Sequence, residues 1–114
     1  DMTREVKIED LVVGEGKAAE KGALITAHYQ GWLANGSEFD SSHKKGRPFQ
    51  TVLSKNKVIQ GWFIGLQGMK VGGKRRLWVP SELAYGERQI GEIIPPNSDL
   101  TFEIELLEVL TRDD

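Results

Sequence analysis

Apolar and polar residues alternate in several stretches of the chain, a period of two that is typical of β-strands with one buried face. The clearest stretch is 100–106, where every second residue is apolar. In 24–33, the apolar side chains of Ile25, Ala27, Tyr29 and Leu33 are predicted to face the core, whereas His28 points to solvent. The predicted strands cover residues 6–13, 24–33, 38–40, 48–53, 75–79 and 100–106.

Turn residues separate these stretches. Asp10 interrupts the first alternation, which predicts an edge strand with a bulge. Asn35 and Gly36 together form the strongest short hairpin signal, because both residues accept a positive φ. Residues 41–48 are polar and basic, and we expect a loop there.

Residues 58–66 show a different period. Their apolar side chains recur at the spacing of one helix face, and this stripe comprises Ile59, Trp62, Phe63 and Leu66. Ser54 or Asn56 is expected to cap the helix. Gly61 and Gly65 weaken it by about 1 kcal/mol each relative to alanine, but they let another surface approach the backbone. The predicted class is therefore α+β, an antiparallel sheet covered by one short helix.

Composition narrows the possible functions. The chain has 114 residues, enough for one domain, and its net charge of -2 gives no general affinity for nucleic acid. No apolar run approaches the length that spans a bilayer. The absence of cysteine excludes disulfides, thiol catalysis and cysteine-ligated zinc. We expect a single monomeric domain, bound to neither nucleic acid nor membrane, in the cytoplasm.

One glycine-rich stretch, GMKVGGKR at residues 68–75, approaches the phosphate-loop pattern. Gly68, Gly73 and Lys74 match that pattern, but Arg75 replaces the hydroxyl residue that would bind magnesium. A phosphate loop also needs a strand before it and a helix after it, and here the predicted order is reversed. The stretch is therefore predicted to be a turn from helix to strand, with Lys74, Arg75 and Arg76 pointing to solvent.

Other polar clusters give no catalytic pattern. His28 and His43 are the only histidines, and neighbouring Ser, His and Asp in one loop rarely have the geometry of a catalytic triad. They also provide too few ligands for a metal site. The basic runs at 43–47 and 74–76 are interpreted as solvated surface.

Aromatic and aliphatic side chains are the remaining candidates for function. Pattern alone favours a plain core for most of them, although the apolar loop 93–98 with its two prolines would suit the roof of a dry pocket. The set comprises Tyr29, Phe39, Phe49, Val58, Ile59, Trp62, Tyr85 and Phe102.

Several long motifs stand in the order found in one enzyme family. They are AHYQGWLANGSEFDSS, VIQGW, GLQGMKVGGKRRLWVP, AYG and IIPPNSDLTFEIELLEV. From about Val6 to Val109 the chain resembles a small bacterial FKBP-type peptidyl-prolyl cis-trans isomerase. The resemblance implies one domain over residues 1–114, with its core at about 6–109, in which a bent antiparallel sheet forms a half-cone around a short helix.

The resemblance also implies a binding cavity between sheet and helix, with Trp62 as its floor and Asp40 at its edge. The implied substrate-binding residues are Tyr29, Phe39, Asp40, Phe49, Val58, Ile59, Trp62, Tyr85, Ile93, Ile94 and Phe102. Those expected to carry catalysis are Asp40, Tyr85, Phe102, Ile59 and Trp62. In the family, the backbone N–H at Ile59 and the hydroxyl at Tyr85 donate hydrogen bonds to ligand carbonyls.

The expected activity is rotation about Xaa-Pro bonds of polypeptides, which assists protein folding and requires no metal or cofactor. The same cavity is expected to bind macrolides such as FK506 and rapamycin. A module of the same fold that binds polypeptides without much catalysis is the alternative, and nucleotide binding is the third reading.

Three places depart from the family pattern. Phe63 and Ile64 replace an acidic pair, so they form either an exposed apolar patch or, for Phe63, part of the core. Thr51 replaces a bulky apolar residue, and the loop 87–92 is charged where relatives are often rich in glycine. These differences affect the expected substrate preference and macrolide affinity more than the fold.

Overall fold

The alternating stretches pair into one antiparallel sheet in the computed structural model, which describes residues 3–113. The strands are β1 (Lys7–Val12), β2 (Leu24–Leu33), β3 (Glu38–Ser41), β4 (Phe49–Val52), β5 (Lys74–Val79) and β6 (Leu100–Leu110). Their order is β1-β5-β6-β2-β3, and β4 pairs with the other end of β2. Two short α-helices, α1 (Ser42–Lys45) and α2 (Gln60–Gly65), and a 3-10 turn at Ser81–Leu83 complete the elements of the described residues.

The long central strands β2 and β6 supply much of the core. Ile25, Ala27 and Tyr29 are buried as predicted, and Leu33 is half-buried at the strand end. On β6, the alternate residues from Leu100 to Leu106 are buried. The predicted α+β class with an antiparallel sheet is confirmed.

The predicted edge strand and hairpin are also confirmed. Among the described strands, β1 pairs only with β5, and its register shifts between Asp10 and Val12, which is the expected irregularity. At the hairpin between β2 and β3, Gly36 adopts a φ of 90°. Asn35 keeps a negative φ, and its side-chain oxygen accepts a hydrogen bond from the Ser37 N–H.

The expectation of a loop at 41–48 was wrong in part, because helix α1 forms there. The Ser41 hydroxyl caps this helix by accepting a hydrogen bond from the Lys44 N–H, and Gly46 ends it with a φ of 79°. A serine cap followed by glycine is a local signal for a one-turn helix. The loop was predicted from the polar and basic composition alone, without this signal.

Helix α2 is shorter than the predicted range, and the prediction of its cap was wrong. Ile59 occupies the N-cap position without a side-chain hydrogen bond. Ser54 and Asn56 instead bond to each other. The helix is stabilised by packing: Cβ atoms added at Gly61 and Gly65 would lie 2.3 Å from Val79 Cγ1 and 2.8 Å from Leu77 Cδ1. The glycines therefore let α2 lie directly on β5.

The stretch 68–75 is the predicted turn between helix and strand. Gly68 and Gly72 adopt φ values of 82° and 92°, and β5 begins at Lys74, so no helix follows the glycines. The prediction that Arg75 points to solvent was wrong, because its side chain is only 11% exposed. Its guanidinium donates to Asp10 at 2.7 Å and to the Gly65 carbonyl at 2.9 Å.

The prediction that His28 is simply solvated was also wrong. Its Nδ1 lies 2.8 Å from the Ser42 hydroxyl, and its ring stacks on His43 with centroids 4.0 Å apart. Phe63 joins the core, whereas Ile64 is 48% exposed. In residues 3–113, no helix is long and apolar enough to cross a membrane.

Candidate active site: an aromatic cavity between sheet and helix

A cavity of about 450 Å³ opens between α2 and the sheet. It brings together residues from four strands, one helix and two connecting segments. The predicted residues that line it are Tyr29, Phe39, Asp40, Phe49, Val58, Ile59, Trp62, Tyr85 and Phe102.

The indole of Trp62 forms the centre of an aromatic cluster. The Trp62 ring meets Tyr29, Phe49 and Phe102 edge to face, with centroids 5.2, 6.0 and 5.5 Å apart. Trp62 is 5% exposed, and its Nε1 has no hydrogen-bond partner in residues 3–113. The Trp62 ring is therefore held between three aromatic neighbours at the base of the cavity.

A glycine on β2 makes room for one wall of the cluster. A Cβ added at Gly31 would lie 2.6 Å from the Phe39 ring and 3.1 Å from the Phe102 ring. Phe39 and Phe102 meet edge to face across this gap, with centroids 5.7 Å apart. The two rings can therefore close the wall only because position 31 lacks a side chain.

Asp40 is the acidic residue among those that line the cavity. Its Oδ2 accepts a 2.5 Å hydrogen bond from the Tyr29 hydroxyl, and its Oδ1 accepts one from the Ser41 N–H and lies 3.1 Å from Lys45 Nζ. Burial raises the pKa of Tyr29, and the bonded Asp40 raises it further. Tyr29 therefore stays a neutral donor that fixes the position of the carboxylate.

The Tyr85 hydroxyl and the backbone N–H of Ile59 are donors at the cavity that have no partner among the described residues. Burial raises the pKa of Tyr85, with a further contribution from the negative charge of Asp40, so its hydroxyl keeps its proton. No described group accepts a hydrogen bond from that hydroxyl or from the backbone N–H of Ile59, the residue that precedes α2. Both donors are available to a ligand carbonyl.

Comparison with known proteins identifies the family to which this chain belongs. The model of the FKBP-type peptidyl-prolyl cis-trans isomerases matches residues 15–107 of the chain. The chain belongs to this family. It is a peptidyl-prolyl cis-trans isomerase of the FKBP type, as the resemblance predicted.

Individual FKBP-type relatives match most of the chain. An FK506-binding protein of Neisseria meningitidis serogroup A is 54% identical over 102 residues, which cover 90% of this chain and 94% of the relative. FK506-binding protein 1 of Saccharomyces cerevisiae is 47% identical over 105 residues, covering 91% and 92%.

Solved structures agree with this assignment. AtFKBP13 superimposes with a TM-score of 0.84 at 43% identity, covering 92% of this chain and 93% of that one. FkpA from Escherichia coli gives a TM-score of 0.84 at 40% identity, and the match covers 91% of this chain and 47% of FkpA. The FKBP fold predicted from the motifs is thus confirmed.

Two predicted binding residues of this FKBP-type isomerase do not line the cavity among the described residues. Ile94 is 4% exposed and packs in the core, whereas Ile93 is 58% exposed. The Ile90 N–H donates to the Ile94 carbonyl and closes the loop on itself. A role for Ile93 and Ile94 in substrate binding stays a prediction.

The sequence interpretation missed several residues that line the cavity of the isomerase. They are Lys55, Asn56, Lys57, Gln60, Ala84 and Arg88. Most of them are polar or charged and lie beside predicted site residues along the chain, at the start of α2 or next to Tyr85. Their proximity to those residues was the available signal.

Proposed function

We propose that the cavity above Trp62 is the place where this isomerase rotates Xaa-Pro bonds, with the prolyl ring lying against the indole. The observation that carries the proposal is the convergence of nine predicted residues on one cavity that also presents the unpaired donors of Tyr85 and Ile59. The mechanism requires no nucleophile, because isomerisation breaks no covalent bond.

The apolar lining of the cavity lowers the barrier to rotation about the Xaa-Pro bond. Amide resonance makes rotation cost ~18–20 kcal/mol, and this resonance separates charge in the planar state. The twisted state has lost that charge separation, so transfer from water to an aromatic cavity favours it relative to the planar state. A thousandfold acceleration requires a reduction of only ~4 kcal/mol in the barrier.

The donors of Tyr85 and Ile59 supply orientation. The Tyr85 hydroxyl and the Ile59 N–H hydrogen-bond carbonyls that flank the rotating bond, which holds the chain on either side while the bond turns. Phe102 forms the wall beside the prolyl ring. Asp40, held by Tyr29, sets the polar edge of the cavity.

The same cavity is proposed to bind macrolides such as FK506 and rapamycin. Relatives that are about half identical over most of the chain are named FK506-binding proteins. A macrolide buries a large apolar surface, and the aromatic cluster around Trp62 offers the matching surface together with the donors at Tyr85 and Ile59.

The test measures cis-trans exchange of a short Xaa-Pro peptide by NMR, with and without the protein, and then with FK506 added. We expect faster exchange that FK506 abolishes. Exchange no faster than in buffer, with the peptide nevertheless bound, would show instead a binding module. Trp62→Leu serves as the matched variant, because it removes the proposed floor while leaving the rim donors in place.

The remaining expectations concern the protein's surroundings. Polypeptides with Xaa-Pro bonds are the proposed substrates. A monomeric state, a cytoplasmic location and the lack of binding to nucleic acid or membranes stay predictions from the sequence.

A further inference from the structure

The mouth of the cavity carries exposed cationic side chains. Lys55 and Lys57 come from the segment between β4 and α2, and Arg88 comes from the loop that follows Tyr85. None of the three forms an ion pair with another described residue, unlike Arg75 or Arg76 on the sheet. Their charges are therefore available to a ligand.

Among residues 3–113, Asp40 is the one carboxylate that lines the cavity, and it does not neutralise these cations. Asp40 is already engaged by the Tyr29 hydroxyl and by Lys45. Glu87 and Glu92, the acids of the loop that carries Arg88, do not line the cavity. The mouth thus has three cations against one engaged carboxylate, whereas the whole chain has a net charge of -2.

Aromatic contacts help to position two of the cations, one of them beside a proposed binding residue. The Arg88 guanidinium lies 5.9 Å from the centroid of the Tyr85 ring, and Lys55 Nζ lies 5.8 Å from that of Phe63. Arg88 is consequently placed beside the hydroxyl that we assign to a substrate carbonyl. A charge on the peptide next to that carbonyl would come within reach of the guanidinium.

We propose that Lys55, Lys57 and Arg88 select substrates with Asp or Glu close to the Xaa-Pro bond. The inference rests on the proposed function, since it concerns the same cavity. The carboxylates are recognised at the mouth while the prolyl ring occupies the apolar interior. Because exposed charges are screened by salt, the selectivity decreases with ionic strength.

The experiment compares three peptides that share one Xaa-Pro core and carry Glu, Gln or Lys on both sides of it. At low salt, about 20 mM NaCl, we expect kcat/KM for the Glu peptide to exceed that for the Gln peptide about three- to tenfold, with the Lys peptide lowest. At about 0.5 M NaCl the ratio should approach one.

The variant Lys55→Gln/Lys57→Gln/Arg88→Gln should bring the Glu-to-Gln ratio at low salt close to one. This ratio is internal to each protein, so a general change in turnover cancels. Lys21→Gln is the control, because Lys21 is an exposed cation that does not line the cavity. It should keep the wild-type ratio.

The outcomes separate this inference from the proposed function. A wild-type protein that accelerates the Gln peptide but shows no preference for Glu overturns the inference alone. A preference that persists in the triple variant also overturns it. If no peptide is accelerated at any salt concentration, the proposed function fails as well.

Discussion

The Tyr29 hydroxyl donates a 2.5 Å hydrogen bond to Asp40 across the neighbouring strands β2 and β3, beside the Trp62 indole. Tyr85 lines the same cavity, but its hydroxyl has no partner in the described part of the chain. The two phenols therefore differ in their partners: the Tyr29 hydroxyl is bonded within the wall, and we propose that the Tyr85 hydroxyl binds substrate.

Tyr29→Phe should destabilise the fold. We expect the free energy of unfolding to fall by about 1–2 kcal/mol, because Asp40 loses a buried donor. The pKa of Tyr29 is raised on folding, so its stabilisation is fully present below the ordinary tyrosine pKa of about 10 and is lost as pH rises above it. Urea unfolding at several pH values measures both effects. A difference between the two proteins that stays constant up to about pH 11 would contradict the pH assignment.

Tyr85→Phe should affect turnover instead. The ring is retained and no described group loses a hydrogen bond, so the free energy of unfolding should change by less than about 0.5 kcal/mol. Loss of the donor to substrate should lower kcat/KM about 5- to 30-fold, equivalent to about 1–2 kcal/mol. Unfolding and peptide-exchange measurements on the same preparation give both values. Unchanged kcat/KM would remove Tyr85 from the proposed mechanism.

Gly61→Ala should destabilise the protein although alanine favours helices. The new Cβ would meet Val79 Cγ1 at 2.3 Å, and overpacking of this kind costs about 1–3 kcal/mol. Thermal or urea unfolding tests this expectation. The control repeats the substitution in a Val79→Ala background, where the smaller side chain makes room and the cost of Gly61→Ala should decrease. An equal cost in both backgrounds would show that the contact with Val79 is not its cause.

Arg4→Gln should flatten the acid limb of the stability curve, that is, it should reduce the loss in free energy of unfolding as pH falls from neutral to acid. Arg4 bonds Glu82 and Asp99, which lowers the pKa of both carboxyls, that of Glu82 from 4.5 to about 2. A carboxyl group whose pKa is lower in the folded than in the unfolded protein stabilises the fold at pH values above its unfolded-state pKa. This stabilisation is lost as pH falls through the folded-state pKa. The difference between wild type and variant should therefore be largest near neutral pH.

Urea unfolding between about pH 7 and pH 2 follows this difference. Arg112→Gln removes the same charge from an exposed arginine with no ion pair in the described residues and should leave the acid limb unchanged. A wild-type curve parallel to that of Arg4→Gln over this whole range would exclude the Arg4 cluster as the cause.

The local pattern predicted the elements that depend on neighbouring residues. Alternation from 100 to 106 defined the buried face of β6, and Asn35-Gly36 located the hairpin, because a strand face and a tight turn are set by side chains a few residues apart. The site was different. Pattern alone assigned most of its aromatic residues to a plain core, and only the family motifs grouped them around Trp62.

Tertiary structure decided what depends on residues distant along the chain. Arg75 is half-buried and bonds Asp10, which lies beside it on the neighbouring strand, 65 positions earlier. Ile94 and Ile93 separate into core and surface because their loop closes on Ile90. Alternation along one strand fixes its own two faces, but the partner that covers each face is fixed only when segments distant along the chain pack together. The positive charge at the cavity mouth also depends on tertiary structure, because Arg88 is distant in sequence from Lys55 and Lys57 and only the fold brings the three side chains to one cavity.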